Sequence, residues 1–144
     1  MIKKKLSDYQ HLISVGRLDL NSEGLLIISN NGNYTRKLEK SNLPRKYLCR
    51  IDGILTEKEI EQAKNGLTID GISYKKVAIK VKNNLLKATR NTWIEVILYE
   101  GKNREIRKIM SFFHKNVSRL IRISYGEFCL GSLKPNDIIL VKKF

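Results

Sequence analysis

The chain has 144 residues, 42% of them apolar, which suits one domain with a real core. Lys and Arg number 28 against 14 Asp and Glu, a net charge of +14. A chain so charged repels itself unless a polyanion offsets it, and nucleic acid is the common intracellular one; the plainer reading is a basic soluble protein with no such partner.

No apolar run reaches the roughly 18 residues of a spanning helix, so no membrane partner is expected. Lys3-Lys4-Lys5 is followed by Leu6-Ser7-Asp8-Tyr9-Gln10-His11, where a signal peptide needs an apolar stretch, and the chain is expected in the cytoplasm. Cys49 and Cys129 lie far apart with no CxxC or CxxH near them, so neither a disulfide framework nor a zinc site is expected.

In chain order, residues 1–11 are polar and read as a disordered tail, leaving one domain over 12–144. Leu25–Ile28 is a short apolar run between Glu23-Gly24 and Asn30-Asn31-Gly32-Asn33, and reads as a buried strand between turns. Thr35–Lys40 reads as a short helix ended by Ser41-Asn42 and Pro44. Lys46–Ile51 reads as a strand with Tyr47, Cys49 and Ile51 on one face. Thr56-Glu57-Lys58-Glu59 is a capping box, and Gly66 closes the helix that it opens.

Val77, Ile79 and Val81 alternate with Lys76, Lys80 and Lys82, a strand with one apolar and one basic face. Trp93–Tyr99 is apolar on both faces apart from Glu95, and reads as a central strand. Arg104–Phe113 is the clearest helix: Ile106, Ile109, Met110 and Phe113 form an apolar stripe, with Arg104, Arg107 and Lys108 off it. Val117–Tyr125 and Asp137–Lys142 read as closing strands. About seven strands and three short helices point to an α+β fold with an antiparallel or mixed sheet.

The familiar catalytic devices are absent from the sequence. It holds no GxxxxGK[ST] or GxGxxG loop and no HExxH, and His11 and His114 stand alone. Chemistry without metal, nicotinamide or nucleotide is therefore expected, and no cofactor. Two segments remain: Val15-Gly16-Arg17-Leu18-Asp19-Leu20-Asn21-Ser22-Glu23-Gly24 running on to Gly32, and Glu100-Gly101-Lys102-Asn103-Arg104-Glu105-Ile106-Arg107-Lys108. Taken singly, Asp19 reads as a turn or cap residue, Arg107 as a solvated charge on a helix and Tyr47 as an aromatic on a half-buried strand.

Taken together, these segments, Lys46-Tyr47 and Arg119-Leu120-Ile121-Arg122-Ile123-Ser124-Tyr125-Gly126 resemble the pseudouridine synthases that modify ribosomal RNA. The subgroup joins the enzyme of the small ribosomal subunit to types B, E and F of the large one, and the match runs over residues 13–143. Residues 43–53 and 121–128 are most similar to type B. The resemblance implies a mixed, mainly antiparallel sheet with a few short helices. It also implies a cofactor-free isomerase that breaks the C1′–N1 bond of a uridine in RNA, turns the base and joins C1′ to C5. Ribosomal RNA, chiefly the 23S molecule of the large subunit, or a ribosomal assembly intermediate is the partner that it implies.

By the same resemblance, Asp19 is the catalytic carboxylate, Arg107 its cationic partner, and Tyr47 the ring that stacks on the target base. Whether such a carboxylate attacks sugar or base, or takes a ribose proton, stays open. A carboxylate in a site that excludes water needs a fixed cation beside it to stay ionised, and a guanidinium serves because it stays protonated. Arg17, Lys46, Lys102, Arg104 and Arg119 are the candidate RNA contacts, each equally readable as a solvated charge.

Ser22 and Ser29 stand where the family has threonine, and Asn31 where it has aspartate. Only fourteen residues precede Val15, with no Lys-Pro-x-Gly turn and no S4-type RNA-binding domain among them. The chain thus reads as an N-terminally truncated catalytic domain. A separately encoded N-terminal segment, a misplaced start, or a catalytically silent remnant that binds RNA or ribosomes would each account for this.

Overall fold

The computed structural model describes residues 6–82 and 91–141. After a single 3-10 turn at Leu6–Asp8 come the short strands β1 (Ile13–Ser14), β2 (Glu23–Gly24) and β3 (Ile28–Ser29), then helix α1 (Gly32–Lys40). Strand β4 (Arg45–Asp52) leads to helix α2 (Glu57–Asn65), the hairpin strands β5 (Leu67–Ile69) and β6 (Ile72–Tyr74), and strand β7 (Ala78–Val81). Strand β8 (Asn91–Leu98), helix α3 (Glu105–Phe112), strand β9 (Val117–Tyr125) and strand β10 (Phe128–Cys129) complete the order.

The main sheet runs β10-β9-β4-β8-β7, antiparallel throughout, and β2 joins β9 in parallel. It is the mixed, mainly antiparallel sheet of an α+β fold. β4 lies in the middle, and β8, expected to be central, lies between β4 and β7.

Strand alternation sorts the side chains. On one face Cys49, Ile51, Ile94, Val96, Leu98 and Leu120 are buried under Ala63 of α2 and Ile106, Ile109 and Met110 of α3, with Phe113 beyond its end. Tyr47 packs against the same cluster, half-buried. On the other face Glu95 takes Lys46 at 3.5 Å and Lys82 at 3.3 Å, and the Arg50 guanidinium lies 5.7 Å from the centre of the Trp93 ring. The capping box forms as read: the Thr56 hydroxyl accepts from the Glu59 N–H and the Glu59 carboxylate from the Thr56 N–H, with Gly66 closing α2 at φ +90°.

A second cluster of Val15, Leu38 and Tyr125, with Leu25, Ile27, Tyr34 and Phe128 beside it, seats α1 against the end of the sheet. Arg45 fastens this corner. It is buried, and its guanidinium donates to the carbonyls of Leu38, Glu39, Ser41 and Leu43 and to the Tyr125 hydroxyl at 2.7 Å. The carbonyls that end α1 are where a helix carries its partial negative charge, so a buried cation is matched there without a carboxylate.

Three sequence expectations are corrected. Leu25–Ile28 is not a buried strand: only Ile28–Ser29 pairs, with β1, and Leu26 and Ile28 are exposed. The run alternates, so Leu25 and Ile27 pack on the second cluster while their neighbours face outward. Residues 137–141 form no strand; Ile138–Val141 are exposed, and Lys142 lies outside the described residues. Apolar content alone does not make a strand where no ladder partner is within reach. Helix α1 starts three residues earlier than read, because the Asn31 side chain accepts from the Asn33 and Tyr34 N–H groups and caps it. Of the expected tail, residues 6–8 form the 3-10 turn and residues 1–5 lie outside the described residues.

Candidate active site

The segment from Val15 to Leu25 is fastened at both ends. The Val15 N–H donates to Ile27 O at 2.8 Å, and Gly16, at φ +69°, donates its N–H to the Glu39 carboxylate. At the far end β2 lies on β9, Leu25 N–H donates to Arg122 O at 2.8 Å, and Arg122 Nε donates to Leu25 O at 2.9 Å. Gly24 makes this approach possible: it sits at φ +110°, and a Cβ there would lie 2.2 Å from Arg122 O. Between these anchors the Ser22 N–H donates to Asp19 O at 2.8 Å, closing a turn that turns Asp19 toward α3.

Helix α3 supplies the other half. Arg104 adopts a left-handed conformation at φ +51° and starts the helix, so Arg104 and Arg107, three residues apart, share one face. Both reach the same oxygen, Asp19 Oδ2, Arg104 from Nη1 at 3.5 Å and Arg107 from Nε at 3.8 Å. The two cations differ in how firmly they are held. Arg104 is 48% exposed at its side chain, whereas Arg107 is 15% exposed. Arg107 also donates from Nη2 to Asn21 O at 3.0 Å and toward the Ser22 hydroxyl at 3.5 Å, and from Nη1 to Val117 O at 3.5 Å. Its Nε is buried with no hydrogen-bond partner, and the Asp19 carboxylate is the anion that it faces.

Tyr47 stands on the sheet face beneath α3, opposite Arg122 across the β4–β9 ladder and two residues from Cys49. Burial pushes the Cys49 thiol up to about 12, and the charge of Arg107 opposes it. Tyr47 packs against the cluster that contains Ile106, Ile109 and Met110 of α3, and it is not hydrogen-bonded to Asp19.

The candidate RNA contacts divide. Arg17 is exposed on the Asp19 segment, and Lys102 sits on the turn before α3, its Nζ 3.2 Å from Glu100 and donating to Ser73 O. Lys46 and Arg119 lie on the sheet face away from α3. There Lys46 pairs with Glu95, and Arg119 grips Glu23 through two bonds of 2.9 and 3.0 Å. The Arg119 fork holds the Glu23 carboxyl below its usual range.

Two charged groups escaped the sequence reading. Arg122 is buried with Nη2 unpaired, and its ring neighbour is Tyr125, 5.4 Å away. Glu105 is buried too, with Oε1 accepting from the Lys102 N–H and Oε2 unpaired. Burial, with the charge of Glu100 adding to it, pushes the Glu105 carboxyl up to about 8, which favours its neutral form. The signals were there: Arg122 alternates with Leu120 on the buried face of β9, and Glu105 precedes Ile109 by one helical turn. Among the described residues no three His, Cys, Asp or Glu side chains converge as a metal site, and no helix is long and apolar enough to cross a membrane.

Comparison with known proteins shows what the chain as a whole is similar to. Residues 1–112 match the family model of RNA pseudouridylate synthases. An uncharacterized RNA pseudouridine synthase of Rickettsia bellii is 47% identical over 142 residues, covering 97% of this chain and 60% of that protein. Ribosomal large subunit pseudouridine synthase B of Buchnera aphidicola is 37% identical over 139 residues, covering 94% of this chain and 55% of that one. Type E of Vibrio parahaemolyticus is 32% identical over 151 residues, covering 94% and 63%. The chain thus spans a little over half the length of the curated relatives it matches.

A crystal structure of a pseudouridylate synthase superposes with a TM-score of 0.74 at 18% identity, covering 83% of this chain and 51% of that one. An H/ACA ribonucleoprotein bound to a substrate RNA containing 2′-deoxyuridine gives 0.66 at 19% identity, covering 85% and 41%. At that identity the likeness speaks for the fold, and the family rests on the sequence matches: the chain belongs to the RNA pseudouridylate synthases.

Proposed function

We propose that this chain carries the active centre of an isomerase that converts a uridine of ribosomal RNA, in the large subunit, to pseudouridine. The observation that carries the proposal is the convergence of Arg104 and Arg107 on one oxygen of Asp19, within 4 Å. The names of the Buchnera and Vibrio relatives, ribosomal large subunit pseudouridine synthases B and E, support the choice of RNA.

In this reading the target uridine leaves the helical stack, at a cost of a few kcal/mol, because neither N1 nor C5 can be exchanged at C1′ while the base is stacked. Asp19 acts on the extruded nucleotide as the C1′–N1 bond breaks. The base turns, C1′ joins C5, the C5 hydrogen leaves as a proton and N1 gains one. Arg107, fastened to the carbonyls of Asn21 and Val117, holds the carboxylate at the reacting sugar. Tyr47 offers its ring to the uracil.

Arg17, exposed on the Asp19 segment, and Arg104, paired with Asp19, are the cations beside that carboxylate that could hold phosphates, while the Lys102 ammonium turns to Glu100 and the Tyr74 ring. Lys46 and Arg119 serve RNA that wraps past the sheet only by giving up Glu95 and Glu23. In this reading the work is done in the cytoplasm, on ribosomal RNA or an assembly intermediate.

The test is carbodiimide–primer-extension mapping of ribosomal RNA from a deletion strain complemented with wild type or with Asp19→Asn. The expected result is one site modified only with the wild type. Equal modification at every site in both strains sinks the proposal and leaves a chain that binds RNA without turning it over. Adding a separately encoded N-terminal segment in trans then shows whether activity needs one.

A further inference from the structure

Across the turn 99–104 from Asp19, a cleft of about 540 Å³ opens between the end of α2 and the ends of β6 and β8. Asn65, Gly66, Tyr74, Lys75, Lys76 and Tyr99 line it. We propose that this cleft is a subsite for a single-stranded nucleotide of the same RNA, near the target uridine. The identity of the RNA rests on the function proposed above; the nucleotide chemistry rests on the cleft.

Its lining joins the two groups that an unpaired nucleotide needs, an aromatic face for the base and fixed cations for the phosphate. Tyr99 is 38% exposed at the rim, so part of its surface is open to a stacking base. Tyr74 is buried as the floor, and the Lys102 ammonium lies 5.3 Å from the centre of its ring. The nearest carboxylate is already taken: Glu100 accepts the Lys75 N–H at 2.8 Å and pairs with Lys102 at 3.2 Å. Lys76 has no ion pair among the described residues, and the Lys75 ammonium donates only to the neutral side chain of Asn42. The cleft therefore faces an incoming anion with uncompensated positive charge. An acidic peptide would use the lysines and leave the exposed ring idle.

Size and place agree. The volume falls in the range of pockets that take one small molecule. Lys102 and Arg104 lie on one turn, the first touching the Tyr74 ring and the second Asp19. Tyr99 and Arg104 are five residues apart in sequence, so at most about 18 Å separates them. A few nucleotides bridge that distance.

The test is fluorescence anisotropy of a labelled single-stranded uridine-containing RNA of a dozen nucleotides, titrated with the full chain at several salt concentrations. Tyr99→Ala is expected to weaken binding at least about 5-fold, the low end of one base stack, while Tyr99→Phe retains it. Lys75→Ala/Lys76→Ala is expected to lower the log–log salt slope by about 1.4, two single-strand phosphate contacts. Lys58→Ala/Lys115→Ala removes the same charge elsewhere, and a slope drop as large in that variant overturns the assignment. Binding by Tyr99→Ala within twofold of wild type also overturns it. Displacement of the RNA by a poly-glutamate peptide from the wild type and from Tyr99→Ala alike would reassign the cleft to an acidic protein and overturns the proposal. Pseudouridine formation with Tyr99-independent binding removes the subsite alone, and Tyr99-dependent binding without pseudouridine removes the enzymatic reading alone.

Discussion

Arg104 and Arg107 reach the same carboxylate oxygen, and their ranking turns on which physical effect dominates. Distance alone favours Arg104, at 3.5 Å against 3.8 Å. Screening reverses the order. Near a protein surface, at an effective dielectric of about 20, a pair 3.8 Å apart interacts by about 4 kcal/mol; in water, a pair at 3.5 Å interacts by about 1 kcal/mol. Arg104, 48% exposed, lies toward the aqueous limit, and Arg107, 15% exposed, toward the other. Arg107 further donates to Asn21 O at 3.0 Å, a charge-assisted bond that fixes the guanidinium beside Asp19.

Arg107→Ala is therefore expected to lower kcat/KM by at least about 100-fold, since each 1.36 kcal/mol is about tenfold. Arg104→Ala is expected to lower it only about 2- to 5-fold, the scale of an exposed ion pair. Arg107→Lys keeps the charge and loses the fork, and falls between them. The assay is release of tritium from RNA made with 5-tritiated uridine, because the C5 hydrogen leaves when C1′ joins C5. Urea titration of each variant separates lost chemistry from lost folding. An Arg104→Ala defect equal to or larger than that of Arg107→Ala would refute the argument from burial and backbone anchoring.

Other outcomes follow from the same structure. Glu105 has a folded pKa raised to about 8 from 4.5, so the folded state binds the extra proton; stability should fall as pH rises from about 4.5 to about 8, and Glu105→Gln should flatten that part of the urea-midpoint profile. Gly24→Ala should cost at least about 2 kcal/mol and lower Tm, from its positive φ and the 2.2 Å approach to Arg122 O, whereas Gly101, with open space around it, should tolerate alanine in the same melt. Ile109→Ala, at a fully buried position, should cost about 2–5 kcal/mol by urea denaturation. Thr56→Ala should cost about 1 kcal/mol in the same titration through loss of the capping box.

Local periodicity and capping chemistry were legible in the residues themselves. The α3 stripe, the Thr56–Glu59 box, the alternation of β4 and the ends of β9 depend on neighbours within a few positions, which a linear chain records directly. So were the motifs that single out Asp19, Tyr47 and Arg107. Folding decided the rest, because it depends on groups far apart in sequence. Arg107 meets the carbonyl of Asn21 across 86 residues, and the docking of β2 on β9 helps to hold them together. Alternation already set Lys46 apart from Tyr47, but which face the helices would cover was a matter of packing, and it left Lys46 and Arg119 on the far side with carboxylates of their own. Leu25–Ile28 and Ile138–Val141 are apolar enough for buried strands, yet burial needs a surface to bury against. Hydrophobicity belongs to the residue; the partner that makes use of it belongs to the fold.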